Sequence, residues 1–356
     1  MSVIAGHTLQ MIRIVSPTPK GSSSTLPRVR LAPMAMFVGI ACYRDPDVIN
    51  TLTSLIHHAQ TPDRISVGIV LQVHSVEDLW SKDLDKFRDR LGDLRILELD
   101  CQQAEGPMKA RTLCQQRLYA GEEYFLQIDA HMRFSPAWDK VLIDMLNSCP
   151  ESSKAILSTY PPDLPTQYLS CDSRCFVLCA DRFDESGFLR IKSKRVQNPP
   201  QSAFLSLFWA AGFSFSKGSI CCNAPYVDWF PMLFFGEETI MSYRLWNAGY
   251  KFFCPNRTVI YHSWSRSTRS VFTENLKMDE RALIRLRSQR DALKLIRSLQ
   301  NEEKQTTSYS HFCGVDFVEQ VIQEFSKSGG LPSNQLFQDP LEKVFSLLQQ
   351  NGMIQT

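Results

Sequence analysis

The first apolar run of six residues is Met36-Phe37-Val38-Gly39-Ile40-Ala41, and its continuity is what a strand covered on both faces requires. Beyond it Val48, Leu52, Leu55, Ile56 and Ala59 recur at helical spacing, and Pro62 ends that helix. Ser66 to Leu71 reads as the second strand and Arg95 to Leu99 as the third. A helix is predicted from Pro107 to Tyr119, a fourth strand from Tyr124 to Ile128, a helix from Ala137 to Leu146 and a strand from Ala155 to Ser158. Strands that alternate with helices predict βαβ units, an α/β fold whose mostly parallel sheet carries helices on both faces. Ligands of such sheets bind beyond the carboxyl ends of the strands. That rule points to Ala41, Tyr43, Arg44 and Asp45, and to the residues after Ile128.

The second half is less regular. Pro161-Pro162 and Pro199-Pro200 bracket a stretch holding Cys171, Cys175 and Cys179 and a basic run, Lys192-Ser193-Lys194-Arg195, read as a solvated turn. Phe204 to Phe215 reads as a strand with close backbone packing, and Phe252 to Cys254 as a short one. Past Val271 the spacing becomes helical, and Leu283, Leu286, Leu293, Ile296 and Leu299 form an apolar stripe expected to pack on the core. The expected organisation is an unstructured segment 1–33, a catalytic domain 34–270, and a helical C-terminal extension 271–356.

Composition narrows the function. The formal net charge is +2, without the basic face and interleaved aromatics that nucleic acid requires. No apolar stretch approaches the ~20 residues of a bilayer crossing, so no membrane anchor is expected. The 11 cysteines are dispersed without paired C-x-x-C spacing, which fits reduced thiols in the cytoplasm better than a disulfide framework. The recurrence of Cys171, Cys175 and Cys179 leaves a zinc-binding adaptor as a rival reading. The first 34 residues hold Arg13, Lys20, Arg28 and Arg30 but no acid, a composition shared by transit peptides and disordered leaders.

Four segments carry chemistry. In Gln127-Ile128-Asp129-Ala130-His131, side chains two apart on an extended segment point the same way. Asp129 and His131 can therefore grip one divalent cation such as Mn²⁺, or form a satisfied polar pair. In Phe235-Gly236-Glu237-Glu238-Thr239, two acids open a helix that ends before Gly249. They either complement the helix dipole, worth ~0.3–1 kcal/mol each, or turn toward a ligand; on the first reading Glu237→Gln scarcely alters stability. In Tyr261-His262-Ser263-Trp264-Ser265-Arg266-Ser267-Thr268-Arg269, His262 can supply a further metal ligand, and Arg266 and Arg269 can fork onto phosphate. Gly106-Pro107-Met108-Lys109-Ala110-Arg111 opens a helix suited to phosphate or ribose.

In this order the segments "FVGIACYRDP", "GPMKAR", "YFLQIDAHMRFSPAWD", "FFGEETIMSYRLWNAGYKFFCP" and "YHSWSR" resemble the cytoplasmic polypeptide N-acetylglucosaminyltransferases that modify hydroxyproline on a ubiquitin-ligase adaptor. That family is similar in turn to the mucin-type polypeptide N-acetylgalactosaminyltransferases, with their D-x-H metal motif and W-G-G-E segment; Phe234-Phe235 stands here in place of the tryptophan. The resemblance implies a GT-A fold, a UDP-GlcNAc donor, Mn²⁺ and transfer with retention to a protein hydroxyl, of hydroxyproline, Ser or Thr. It implies Asp129, His131 and His262 as metal ligands, Arg44 near the diphosphate and Arg111 near the base or ribose. Glu237 would orient the sugar or the acceptor hydroxyl, with Glu238 beside it. A retaining transferase of this type would use the donor phosphate itself to accept the incoming proton; the alternative is a double displacement with Glu237 or Asp228 as nucleophile. The alternatives are a UDP-GalNAc or other UDP-hexose transferase, and a non-catalytic UDP-sugar-binding protein. Oligomeric state is left open, a homodimer among the options.

Overall fold

The computed structural model describes residues 35–164, 172–265, 270–275, 280–302 and 308–337; the unstructured segment expected over 1–33 lies outside them. The chain runs β1 (Met36–Tyr43), α1 (Val48–His58), β2 (Ile65–Val73), β3 (Asp93–Asp100), α2 (Pro107–Leu113), β4 (Tyr124–Asp129), β5 (Met132–Phe134), α3 (Trp138–Asn147) and β6 (Ala155–Ser158). It continues through β7 (Cys175–Phe183), β8 (Leu189–Val196), β9 (Phe204–Leu205), β10 (Phe213–Lys217), α4 (Ile220–Asn223), α5 (Glu237–Asn247), β11 (Lys251–Cys254), β12 (Ile260–His262) and α6 (Glu280–Glu302).

The central sheet has the order β3-β2-β1-β4-β10-β6-β11-β9. β3, β2, β1 and β4 are parallel, β6 and β11 are parallel to each other, and β10 runs antiparallel between β4 and β6. Along β1 the side chains alternate between two cores. Met36, Val38, Ile40 and Cys42 face the layer that holds Leu52, Leu55, Trp138 and Leu142 of α1 and α3, while Phe37 faces Met108 of α2 and Ile240 of α5. Both faces are covered, which is why β1 and β2 are almost continuously apolar, Ser66 and Gln72 of β2 being the buried polar exceptions. At ~25 cal/mol per Å² of apolar surface removed from water, these two layers supply most of the drive that holds the strand ends, and so the site, in place.

Four expectations are corrected. The segment 204–215 is broken: β9 and β10 flank a loop in which Ser158 Oγ donates to Phe213 O at 2.8 Å and accepts from Ala210 N–H at 2.8 Å. Side-chain hydrogen bonds there satisfy backbone that a ladder would otherwise pair. Lys192 to Arg195 is not a turn, because those residues pair in β8 with Leu178 to Phe176 and Cys179 of β7. The helix from Pro107 ends at Leu113 as an α-helix and finishes as a π turn over Cys114–Leu118, closed by Tyr119 N–H on Cys114 O at 3.2 Å. On α6, Ala292 and Ile296 are buried but Leu283 and Leu286 are exposed. One residue turns ~100° around a helix, and Ile284 rather than either leucine packs near Phe272 and Tyr43.

Among the described residues no helix is long and apolar enough to cross a membrane.

Candidate metal centre and donor cleft

The parallel register sets the site. Ala41 pairs with Asp129 and Tyr43 with Gln72, so the carboxyl ends of β1, β2 and β4 open side by side onto one cleft of about 740 Å³. Its lining includes Ala41, Tyr43, Asp129, His131, His262, Glu237 and Glu238.

Three short interactions bring His262 to His131, which lies 131 positions earlier. β5 and β12 form an antiparallel pair in which Met132 faces His262, Ser263 N–H donates to His131 O at 3.0 Å, and His262 N–H donates to Pro162 O at 2.9 Å. From α1, Thr51 Oγ1 donates to Ala130 O at 2.7 Å and accepts from Met132 N–H at 2.8 Å, pinning the bend between the two ligand residues. The result is a group, Asp129, His131 and His262, whose ligand atoms all lie within 4.8 Å of one another; no other such group occurs among the described residues. Cys175 and Cys179 do not converge with acids or histidines. They lie with Cys254 in a separate buried cluster, where Cys175 Sγ is 3.7 Å from Cys254 Sγ, and Cys171 lies outside the described residues.

The chemistry of the donor set fits a divalent cation. His131 Nδ1 sits 2.7 Å from Asp45 Oδ2, and a carboxylate on the far ring nitrogen fixes the tautomer and aims Nε2 as a ligand. That Nε2 lies 3.0 Å from His262 Nε2, which lies 3.4 Å from Asp129 Oδ2. Two imidazole nitrogens so close can share one hydrogen-bonding proton, and His131 and His262 would together hold a cation in its place. Burial alone would raise the Asp129 pKa, but the His262 hydrogen bond and the Arg111 guanidinium hold it well below the usual carboxylate range. Gly212 is needed beside it, since a Cβ there would stand 2.7 Å from Asp129 Oδ2.

The two acids of α5 have different settings. Gly236, at φ 99°, turns the chain into the helix against Phe188, whose ring a Cβ would meet at 2.4 Å. Glu237 is 3% exposed and accepts from Arg111 Nη1 and from the Tyr226 hydroxyl. This overturns the expectation that Glu237→Gln would scarcely alter stability, because a buried ion pair is at stake rather than a surface dipole term. Glu238 accepts from Tyr160 Oη at 2.5 Å and from Ala211 N–H at 2.9 Å. Burial pushes its pKa up to about 7, against the lowering effect of those two donors.

That shift has a sign. With a folded pKa near 7 and an ordinary value of 4.5, Glu238 binds its proton more tightly in the folded chain. Its stabilising share is complete below about pH 4.5 and is lost as pH rises through about 7. Glu238→Gln is expected to remove that fall, so that the melting temperature of the variant gains on wild type between about pH 4.5 and 7. Parallel melting curves across that range would show that Glu238 keeps an ordinary pKa.

Other predicted residues lie elsewhere. Arg44, at φ 45°, turns away from the cleft lining onto Glu77 at 2.6 Å and Asp78 at 2.9 Å. Two carboxylates on the loop after β2 attract it more strongly than an open cleft does. Asp228 is paired with Lys109 at 2.6 Å, half-exposed and off the lining. Arg111 lines the cleft, yet its guanidinium is held by Asp129 and Glu237 rather than presented to a base or ribose. Arg266 and Arg269 lie outside the described residues. Gln72, Tyr160 and Arg285 line the cleft without having been singled out from sequence, and Asp45, to which the strand-end rule pointed without giving it a role, lines it too. Only Asp45 carried a signal, its place at the end of β1.

The architecture is a GT-A fold. The fold is similar to that of Staphylococcus aureus TarS 1-349 in complex with UDP-GlcNAc, with a TM-score of 0.52, 13% identity, and 81% of this chain and 72% of that one covered. It is also similar to GalNAc-T7 with UDP, GalNAc and Mn²⁺, with a TM-score of 0.50, 14% identity and 75% of this chain covered. Only 48% of GalNAc-T7 is spanned. No curated protein matches the sequence. The model of the GlcNAc glycosyltransferase family matches residues 35–90 and 81–325. The chain belongs to that family and is a glycosyltransferase.

Proposed function

We propose that the chain transfers N-acetylglucosamine from UDP-GlcNAc to a hydroxyl of a protein acceptor, with retention and with Mn²⁺ or a similar cation. The acceptor hydroxyl is that of hydroxyproline, Ser or Thr, and a ubiquitin-ligase adaptor subunit is the kind of acceptor the sequence resemblance suggests. The carrying observation is the convergence of Asp129, His131 and His262 at the carboxyl ends of β1 and β4, with Asp45 fixing His131. Residues 34–270 form the catalytic unit in this reading. The extension 271–356 helps build the cleft through Phe272 and Arg285, which line it. Cytoplasmic residence fits cysteines that are free and, apart from Cys221 and Cys222, buried among the described residues.

The chemical demand is to expel a diphosphate from an anomeric carbon that becomes cationic. A cation held by Asp129, His131 and His262 supplies positive charge to the departing oxygens. Tyr43 and Gln72, at the ends of β1 and β2, border the space for the base. Glu238 and Tyr160 fix hydroxyls of the sugar from the α5 side, as a rigid pair already hydrogen-bonded to each other. The incoming hydroxyl passes its proton to the donor phosphate, so the chain needs no separate base.

Incubating the protein with Mn²⁺ and a panel of UDP-sugars tests this through release of UDP. UDP-GlcNAc is expected to be hydrolysed fastest, and chelation should stop the reaction. Faster release from UDP-GalNAc or another UDP-hexose would reassign the donor, and no release from any UDP-sugar would refute the reading.

A further inference from the structure

Beneath the metal ligands runs a file of buried polar groups, Tyr226, Glu237 and Arg111, that ends on Asp129. Glu237 and Arg111 are 3% and 7% exposed. Glu237 Oε1 accepts twice, from the Tyr226 hydroxyl and from Arg111 Nη1, and Arg111 Nη2 donates to Asp129 Oδ1 at 2.8 Å. The other oxygen of Asp129 is the one that faces His262. A guanidinium is charged at every accessible pH. Placed against a carboxylate that must also hold a dication, it competes for that carboxylate and repels the ion. Glu237, on the other arm of the guanidinium fork, supplies the opposing charge.

We propose that Glu237 is a positioning residue for the metal centre: it cancels the charge of Arg111 and thereby leaves Asp129 able to accept a divalent cation. This rests on the metal-centre reading above. It reassigns Glu237 from the sugar or acceptor hydroxyl, where the family resemblance had put it, to the support of the metal ligand.

The experiment is Mn²⁺ titration of the full chain without nucleotide, with unbound Mn²⁺ followed by electron paramagnetic resonance and folding checked by circular dichroism. Glu237→Gln is expected to raise the Mn²⁺ Kd by roughly 10–100-fold, the usual scale for outer-shell partners. Glu237→Asp, which keeps the charge, should stay close to wild type. The double variant Arg111→Met/Glu237→Gln removes both charges and should return Kd to within about threefold of wild type, a non-additivity expected of directly coupled residues. An unchanged Kd in Glu237→Gln overturns the proposal, as does a double variant that binds no better than the single one. Should Glu237→Gln not fold, the folded double variant decides, and a Kd about tenfold or more above wild type in it goes against the proposal. Wild type that takes up no Mn²⁺, or Asp129→Ala that takes it up normally, refutes the metal centre itself and is told apart from these outcomes.

Discussion

Asp129→Ala is expected to lower sugar transfer by at least ~10²-fold, the scale of losing one fixed electrostatic stabiliser in an active site, and to abolish saturable Mn²⁺ uptake. One oxygen of this carboxylate meets Arg111 at 2.8 Å and the other lies 3.4 Å from His262. It is held ionised by those neighbours despite burial, so no ordinary assay pH would neutralise it. No other acid among the described residues joins both histidines in a group with converging ligand atoms. Chelation and the substitution should therefore produce the same residual rate. UDP release measured across a Mn²⁺ series checks this, with a thermal melt to show that the variant is folded. Near-normal release that ignores chelator would remove the cation from the reaction.

How much of this was legible in the sequence depends on the range of the interaction concerned. Local signals held: the apolar runs of β1, β2 and β4 and the periodicities of α1 and α3 fall where predicted, because each reports burial on one or both faces of a single element. Asp129 and His131 were legible because two-residue spacing at a strand end is a local matter. Their convergence with His262 was suggested only by the order of motifs, since the β5–β12 pairing that delivers it is a contact of three residues with three. Charge placement was the least legible. Arg44 sits beside the right strand end, but Glu77 and Asp78 on a neighbouring loop decide where it points. Glu237 had the composition of a helix cap, and only burial against Arg111 and Tyr226 showed it to be half of an ion pair. The basic run in β8 read as a turn because its polar side chains concealed a strand whose backbone pairs with β7.

Arg111→Met is expected to give one of the largest losses of stability of any single substitution in the cleft. The guanidinium is almost fully buried and contacts two carboxylates, Asp129 and Glu237. Burial works to lower its pKa, but the coulombic pull of Glu237, Tyr226 and Asp129 outweighs that and raises it well above the ordinary value, far from any titration. The pair is thus present over the whole working pH range. Methionine replaces much of the volume but none of the charge, so packing changes little and the electrostatic loss dominates. Removing one partner of a buried pair strands the other at a cost of about 3–5 kcal/mol, a large part of the ~5–15 kcal/mol that holds a domain folded. Urea unfolding should show a lower midpoint with an unchanged slope, the mark of altered stability without altered compactness. Adding Glu237→Gln should recover part of that loss, because the stranded carboxylate disappears with it. A midpoint equal to wild type in Arg111→Met would mean that desolvating the guanidinium had already cancelled what the two carboxylates return.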